Sequence, residues 1–82
     1  MKYISDEDKM RVALGEAKKA YDIDEVPVGA AIFDKDNNLI CANHNRRELD
    51  QSPISHAEIL VLEEASKILG TWRLEDTTIA VT

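Results

Sequence analysis

The chain has one cysteine, Cys41, which excludes an intrachain disulfide framework, and one cysteine with one nearby histidine is too few for a structural zinc site. That usage fits a reducing compartment. The stretch Met1 to Asp8 lacks the apolar core of a secretion signal, and no apolar run approaches the ~20 residues needed to span a bilayer. A cytoplasmic location without a membrane partner is therefore the expectation. Positive charge is also scarce: 10 Lys and Arg stand against 16 Asp and Glu, for a net charge of -6. Nucleic-acid binders usually present a basic patch, so this chain is not expected to bind RNA unaided. Arg46-Arg47 is its local basic pair, and such charges are ordinarily solvated. Repeats, low-complexity tracts and linkers are absent as well. What remains is one short domain, which buries only about 60 to 65% of its unfolded surface. With 44% hydrophobic and 32% charged residues the composition is that of a folding chain, and a core is expected.

What is present reads in the order α-β-β-α-β. Ser5 can cap a first helix whose opening turn holds Asp6, Glu7 and Asp8, and Met10, Ala13, Leu14, Ala17 and Tyr21 follow at helical spacing. Val26 to Phe33 is apolar on both alternating faces, the pattern of a central strand covered on both sides. Asp34-Lys35-Asp36-Asn37-Asn38 predicts a turn, and Leu39 to Asn45 a returning strand, so the two form a hairpin. After the polar loop Arg46 to Pro53, a second helix carries Leu60, Val61, Leu62, Ala65, Ile68 and Leu69 as far as Gly70, a C-terminal cap. Thr77 to Thr82 begins a third strand, and its bare edge leads us to expect that something adds there.

Among the single residues, Cys41 reads as a small buried hydrophobe, His44 as surface or cover, and Trp72 as an anchor for the loop entering the third strand. Pro27 and Gly29 are unusual in a central strand. Gly29 admits two readings, close approach by a ligand, or a bulge or tight fit against a helix.

The feature that carries chemistry is Ser55-His56-Ala57-Glu58, opening the second helix. Deaminating a purine or pyrimidine requires a hydroxide at neutral pH, and a zinc ion with three protein ligands and an open position lowers the pKa of its bound water to about 7. His56 is a ligand of the right type. A carboxylate that binds no metal must then carry a proton to the ring nitrogen and on to the departing ammonia, and Glu58 fits that role. Two residues apart on a helix, side chains point to nearly opposite sides. At the first turn both can lean over the helix N-terminus, where the dipole favours a hydroxide and a carboxylate. The same four residues also spell a capping box, in which Ser55 and Glu58 bond reciprocally to each other's backbone. At the level of the tripeptide both readings stand.

The order of Glu25 to Ala30, Asn45-Arg46, Pro53 to Ile59, Trp72-Arg73-Leu74 and Ile79 to Thr82 resembles the bacterial tRNA adenosine deaminases. These are zinc deaminases of the cytidine/deoxycytidylate deaminase-like superfamily that make inosine at the anticodon wobble position, and such enzymes pair His-x-Glu with a later Pro-Cys-x-x-Cys. In that family the stretch matching Val81-Thr82 is followed directly by Leu-Glu-Pro-Cys-x-x-Cys, which supplies two further zinc ligands. The resemblance implies that residues 1–82 are the N-terminal part of a zinc nucleobase deaminase domain, ending before the Cys-bearing helix. It implies an α/β fold, the truncated αββαβ half of a cytidine-deaminase-like three-layer α/β/α arrangement, whose sheet becomes mixed through two more parallel strands. Carried over residue by residue, it implies His56 as zinc ligand, Glu58 as proton shuttle, and Asn45 as a base- or ribose-contacting amide in the pocket wall. Val28 and Ala57 would line that pocket.

The implied partners are the tRNA anticodon loop in the complete enzyme and the complementary C-terminal half or a second copy, in a homo-oligomer. Zn2+ is implied only where the missing cysteines are supplied, and the chain alone is expected to be inactive. Two further readings stand beside this one: a non-catalytic structural or engineered αββαβ fragment, and half of a free-base deaminase for guanine or cytosine. Because one imidazole cannot supply the three ligands of a catalytic zinc site, elemental analysis of the dialysed chain should show substoichiometric zinc. A tightly held equivalent would require other donors, such as Cys41, His44 or a second copy.

Overall fold

The computed structural model describes residues 2–52 and 56–82. Its elements are α1 (Asp6–Asp22), β1 (Gly29–Phe33), β2 (Leu39–His44), α2 (Ala57–Leu69) and β3 (Thr78–Val81), the α-β-β-α-β order expected. Helix α1 starts as its sequence dictates. Ser5 has extended backbone and its hydroxyl accepts from the Asp8 N–H at 3.0 Å, while Asp6, Glu7 and Asp8 place negative charge at the positive end of the helix.

The sheet order is β2-β1-β3, antiparallel at both pairings, and the strands that would make it mixed are not among the described residues. Successive side chains of β1 enter opposite layers. Ala30 and Ile32 join Cys41, Ala57, Val61 and Ala65 beneath α2, whereas Ala31 and Phe33 join Ala13 and Ala80 beneath α1. All of β1 is buried, so the strand is covered on both faces by a helix layer. Helix α2 lies over β1 and β2. Ile79 and Val81 pair with Ile32 and Ala30, so they sit on the α2 side of the sheet, and they stay about 40% exposed.

The predicted apolar stripe of α1 is only partly right. Ala13 and Ala17 are buried, but with Lys9 and Ala20; Met10, Leu14 and Tyr21 are at the surface. The reason is closeness. A Cβ built on Gly29 would lie 2.5 Å from the Ala17 nitrogen and 2.8 Å from Glu16 Cβ, and would also collide with the Ala13 carbonyl oxygen. Where two backbones come this near, only alanine fits between them. Gly29 therefore serves a tight fit against a helix rather than a ligand's approach. Pro27 lies outside the strand, which begins two residues later than it, after a tight Val28 N–H to Val26 carbonyl bond of 2.7 Å. Its missing N–H consequently costs the ladder nothing.

The hairpin turn forms at Asp34 to Asn38. One Asp34 carboxylate oxygen accepts from the backbone of both Asp36 and Asn38 at 2.9 Å, and Asn37 takes a positive φ of 66°. Gly70 caps α2 in the left-handed region at φ 71°, as expected. Cys41 is buried, donates to the Val61 carbonyl at 3.3 Å, and has its thiol pKa pushed up to about 11 by burial and the charge of Glu64. Trp72 departs from expectation: it is 80% exposed, with the Arg73 guanidinium 5.3 Å from its ring centre. Leu74, packed against the α2-side cluster, anchors that loop in its place.

The contact at Gly29 gives a signed test. Gly29→Ala must push α1 off the sheet and should cost about 2 to 3 kcal/mol. Gly15, on the same helix with nothing within 4 Å of a built Cβ, should gain roughly 0.5 to 1 kcal/mol on substitution by alanine. Urea unfolding of the two variants should show opposite shifts of midpoint.

Candidate functional site

The site suggested by the sequence lies where β2 ends and α2 begins. The strand's last turn of alternation separates two residues. His44 points to the α1 layer and Asn45 to the α2 layer, which is what the period of two requires.

On the α2 side, Asn45 is 4% exposed and its Oδ1 accepts from the backbone N–H of Ala57 at 2.9 Å. Ala57 opens the helix, so this N–H is one of those that no helical carbonyl can reach. A side chain twelve residues upstream thus supplies a cap to α2. The Ser55 half of the capping box lies outside the described residues. Asn45 itself is held by its N–H, which donates to the Val28 carbonyl at 3.1 Å.

His56 is the N-cap residue, with extended backbone and no capping bond from its ring, and its carbonyl receives the Leu60 N–H at 3.0 Å. Glu58 stands in the first turn. Both are half-buried, and among the described residues neither side chain is engaged in a hydrogen bond or ion pair. Ala57 is fully buried in the cluster with Ala30, Ile32 and Val61, against which Val28 packs. The structure thus gathers four of the sequence-predicted residues, Asn45, His56, Ala57 and Glu58, at one helix terminus, with Val28 beneath.

These residues do not by themselves fit a zinc ion. His56 is a single donor at this terminus, and among the described residues there is no group of three or more His, Cys, Asp or Glu side chains able to hold a metal. Cys41 is committed to Val61 and His44 to the opposite layer.

His44 is more than surface cover. Its Nδ1 lies 3.0 Å from Glu16 Oε1, both side chains are largely buried, and Lys19 Nζ reaches the other oxygen at 2.6 Å. Nothing local in the sequence pairs residues 16 and 44; their meeting follows from the closeness of α1 at Gly29, which is the cross-strand partner of His44. Glu25 escaped sequence reading too. It is 7% exposed, and its Oε2 accepts from the backbone of Glu48 at 2.8 Å and Leu49 at 2.9 Å. Its signals in the sequence were its place at the head of the Glu25 to Ala30 segment and its charge beside an apolar strand, and neither names a partner at residues 48 and 49. Arg46 pairs with Asp50 within the loop at 3.3 Å, and Arg47 is exposed.

Residues 4–82 match the family described as the cytidine and deoxycytidylate deaminase zinc-binding region. The chain is 51% identical over 77 residues to the tRNA-specific adenosine deaminase of Bacillus subtilis, a match covering 94% of this chain and 47% of that protein. It is 44% identical over 73 residues to the tRNA-specific adenosine deaminase of Aquifex aeolicus, covering 89% of this chain and 48% of the relative. The chain thus spans about half the length of these curated relatives. Among solved structures, a tRNA:A34 deaminase superposes with a TM-score of 0.86 at 38% identity, over 90% of this chain and 53% of the other. Guanine deaminase from Bacillus subtilis gives 0.89 at 25% identity, over 95% and 50%. No described helix is long and apolar enough to cross a membrane.

Burial raises the Glu16 carboxyl pKa, but the Lys19 and His44 hydrogen bonds outweigh it and hold the group below the ordinary 4.5. A carboxylate whose folded pKa is depressed contributes stability that is present above its unfolded pKa and lost as pH falls through the folded one. Urea midpoints should therefore drop on acidification below pH 4.5, and Glu16→Gln should flatten that part of the profile. An unchanged slope in the variant would assign the acid sensitivity to other carboxylates.

Proposed function

This chain belongs to the family of cytidine and deoxycytidylate deaminase zinc-binding regions, and we propose that it is the N-terminal part of a zinc-dependent adenosine deaminase acting at the tRNA wobble position. The observation that carries the reading is the helix terminus itself. His56 and Glu58 flank Ala57, whose N–H is already satisfied by Asn45, so the two functional side chains are left unengaged at the positive end of α2.

In this reading His56 is one of three zinc ligands, and the other two come from a Pro-Cys-x-x-Cys segment outside residues 1–82. Zinc bound there supplies a water of pKa about 7. Glu58 is the proton shuttle. It stands in the first turn, just after the N-cap residue His56, and would not itself be a ligand, so its carboxylate would be free to take up a proton and return it to the leaving amine. The Asn45 oxygen is occupied by Ala57, which leaves its Nδ2 as the donor to a base or ribose. Val28, partly buried against the core cluster, offers the apolar surface over which a flat ring could lie, whereas Ala57, fully buried in that cluster, backs this surface without lining the pocket itself. The net charge of -6 assigns most contacts to RNA phosphates to other parts of the complete enzyme. The β3 edge and the exposed Ile79 and Val81 beside α2 suit capture of the complementary segment, or of a second copy in a homo-oligomer.

The test is complementation. Joining or mixing the chain with a segment bearing Pro-Cys-x-x-Cys should yield inosine from an anticodon stem-loop, with free guanine as the control that separates the guanine deaminase alternative. His56→Ala should lose both zinc and turnover. Glu58→Ala should keep zinc and lose about 10²- to 10⁴-fold in rate, far beyond the roughly 1 kcal/mol of a lost helix cap. Near-full turnover of Glu58→Ala with slightly lower stability would reduce Glu58 to a cap.

A further inference from the structure

We propose that Glu25 is a positioning residue for this site: its buried carboxylate holds the turn at residues 46–52 in one conformation and, through the adjoining Asn45 and its bond to Ala57, the placement of the start of α2 with His56. The inference rests on the deaminase reading only in taking His56 and Glu58 as the site.

Glu25 lies in the segment joining α1 to β1, and its N–H donates to the Ala20 carbonyl at 2.9 Å, fixing it to the end of α1. Its Oε2 receives two main-chain N–H groups, from Glu48 at 2.8 Å and Leu49 at 2.9 Å. Those N–H groups begin a short wound stretch: Asp50 donates to Arg46 at 2.8 Å, Ser52 to Arg47 at 3.0 Å and Gln51 to Glu48 at 3.3 Å. A single turn of this kind is unstable alone, because few bonds offset the fixing of its dihedrals. Its leading N–H groups have no partner within the turn. A carboxylate on those groups makes charge-assisted bonds, roughly twice as strong as neutral ones. Among the described residues no cation pairs with Glu25, so the two amides are its counterpart.

The same segment makes a second tie. The Val28 carbonyl accepts the Asn45 N–H at 3.1 Å, and the Asn45 side chain holds Ala57. Residues 25–28 thus grip this segment at Asn45 and again at Glu48 and Leu49, and the Asn45 grip bears on the first residue of α2. A change at Glu25 reaches His56 without contact, by way of the turn at residues 46–52, Asn45 and the Asn45 bond to Ala57.

Residue-resolved hydrogen exchange and imidazole NMR on the 82-residue chain test this. In the wild type the Glu48 and Leu49 amides should be protected. Glu25→Ala should lose roughly tenfold or more of that protection, and should shift the His56 imidazole and the Ala57 amide while the Ala30, Ile32 and Val61 amides keep theirs. Glu25→Gln, which retains an acceptor oxygen, should restore most of both signals. Two results overturn the proposal: Glu48 and Leu49 exchanging like unbonded loop amides in the wild type, or a loosened loop that leaves His56 and Ala57 unmoved. If Glu25→Ala does not fold, the wild-type protection and the Gln variant decide alone, and a Gln variant with free Glu48 and Leu49 amides but an unshifted His56 overturns it. None of these readouts involves turnover, so failure here leaves the deaminase reading standing, and failure of complementation leaves this inference standing.

Discussion

At Gly29 the backbones of α1 and β1 meet with no room for a methyl group between them, and much of the molecule is arranged around that contact. Because the helix lies so close, the residues of its inner face at that contact, Ala13 and Ala17, have to be small, and Met10 and Leu14 turn outward although they are the better hydrophobes. The same closeness brings Glu16 within reach of His44, across the sheet from Gly29, so a largely buried hydrogen bond forms between their side chains where the backbones are nearest. With its lower face sealed in this way, β1 is free to spend Ala30 and Ile32 on the layer under α2.

The end of β2 then couples the two layers. Consecutive residues on a strand face opposite ways, so His44 reaches α1 and Asn45 reaches α2 with no additional framework. Among the described residues the start of α2 is capped from the end of β2, by Asn45, and not by the side chain of its N-cap residue His56. A helix terminus whose His56 and Glu58 side chains bond to nothing among the described residues is thereby tied to the centre of the fold.

Features written in neighbouring residues were legible in the sequence. The Ser5 cap, the Asp34 to Asn38 turn, the Gly70 terminus and the two-sided burial of β1 all depend on local chemistry or short periodicity. The placement of His56 and Glu58 together at the start of α2 was legible for the same reason, being written two residues apart ahead of an apolar run. What escaped was set by contacts distant in sequence. Hydrophobic size favoured Met10 and Leu14 over alanines whose advantage exists only against Gly29. Trp72 looked like an anchor, but the loop closes through Leu74. The parts played by Glu16, Glu25 and Asn45 depend on partners twelve or more residues away, which no window of periodicity contains.

Glu25 recognises its loop entirely through peptide N–H groups, and peptide groups are the same whatever side chain they carry. Proline alone, lacking that N–H, is barred from positions 48 and 49 on this account. The side chains of Arg46, Arg47, Glu48 and Leu49 therefore make up a rim whose shape is held from beneath, so its chemical character could drift or be redesigned while the architecture under it stays put. A scaffold of this kind separates what a protein touches from how it stands.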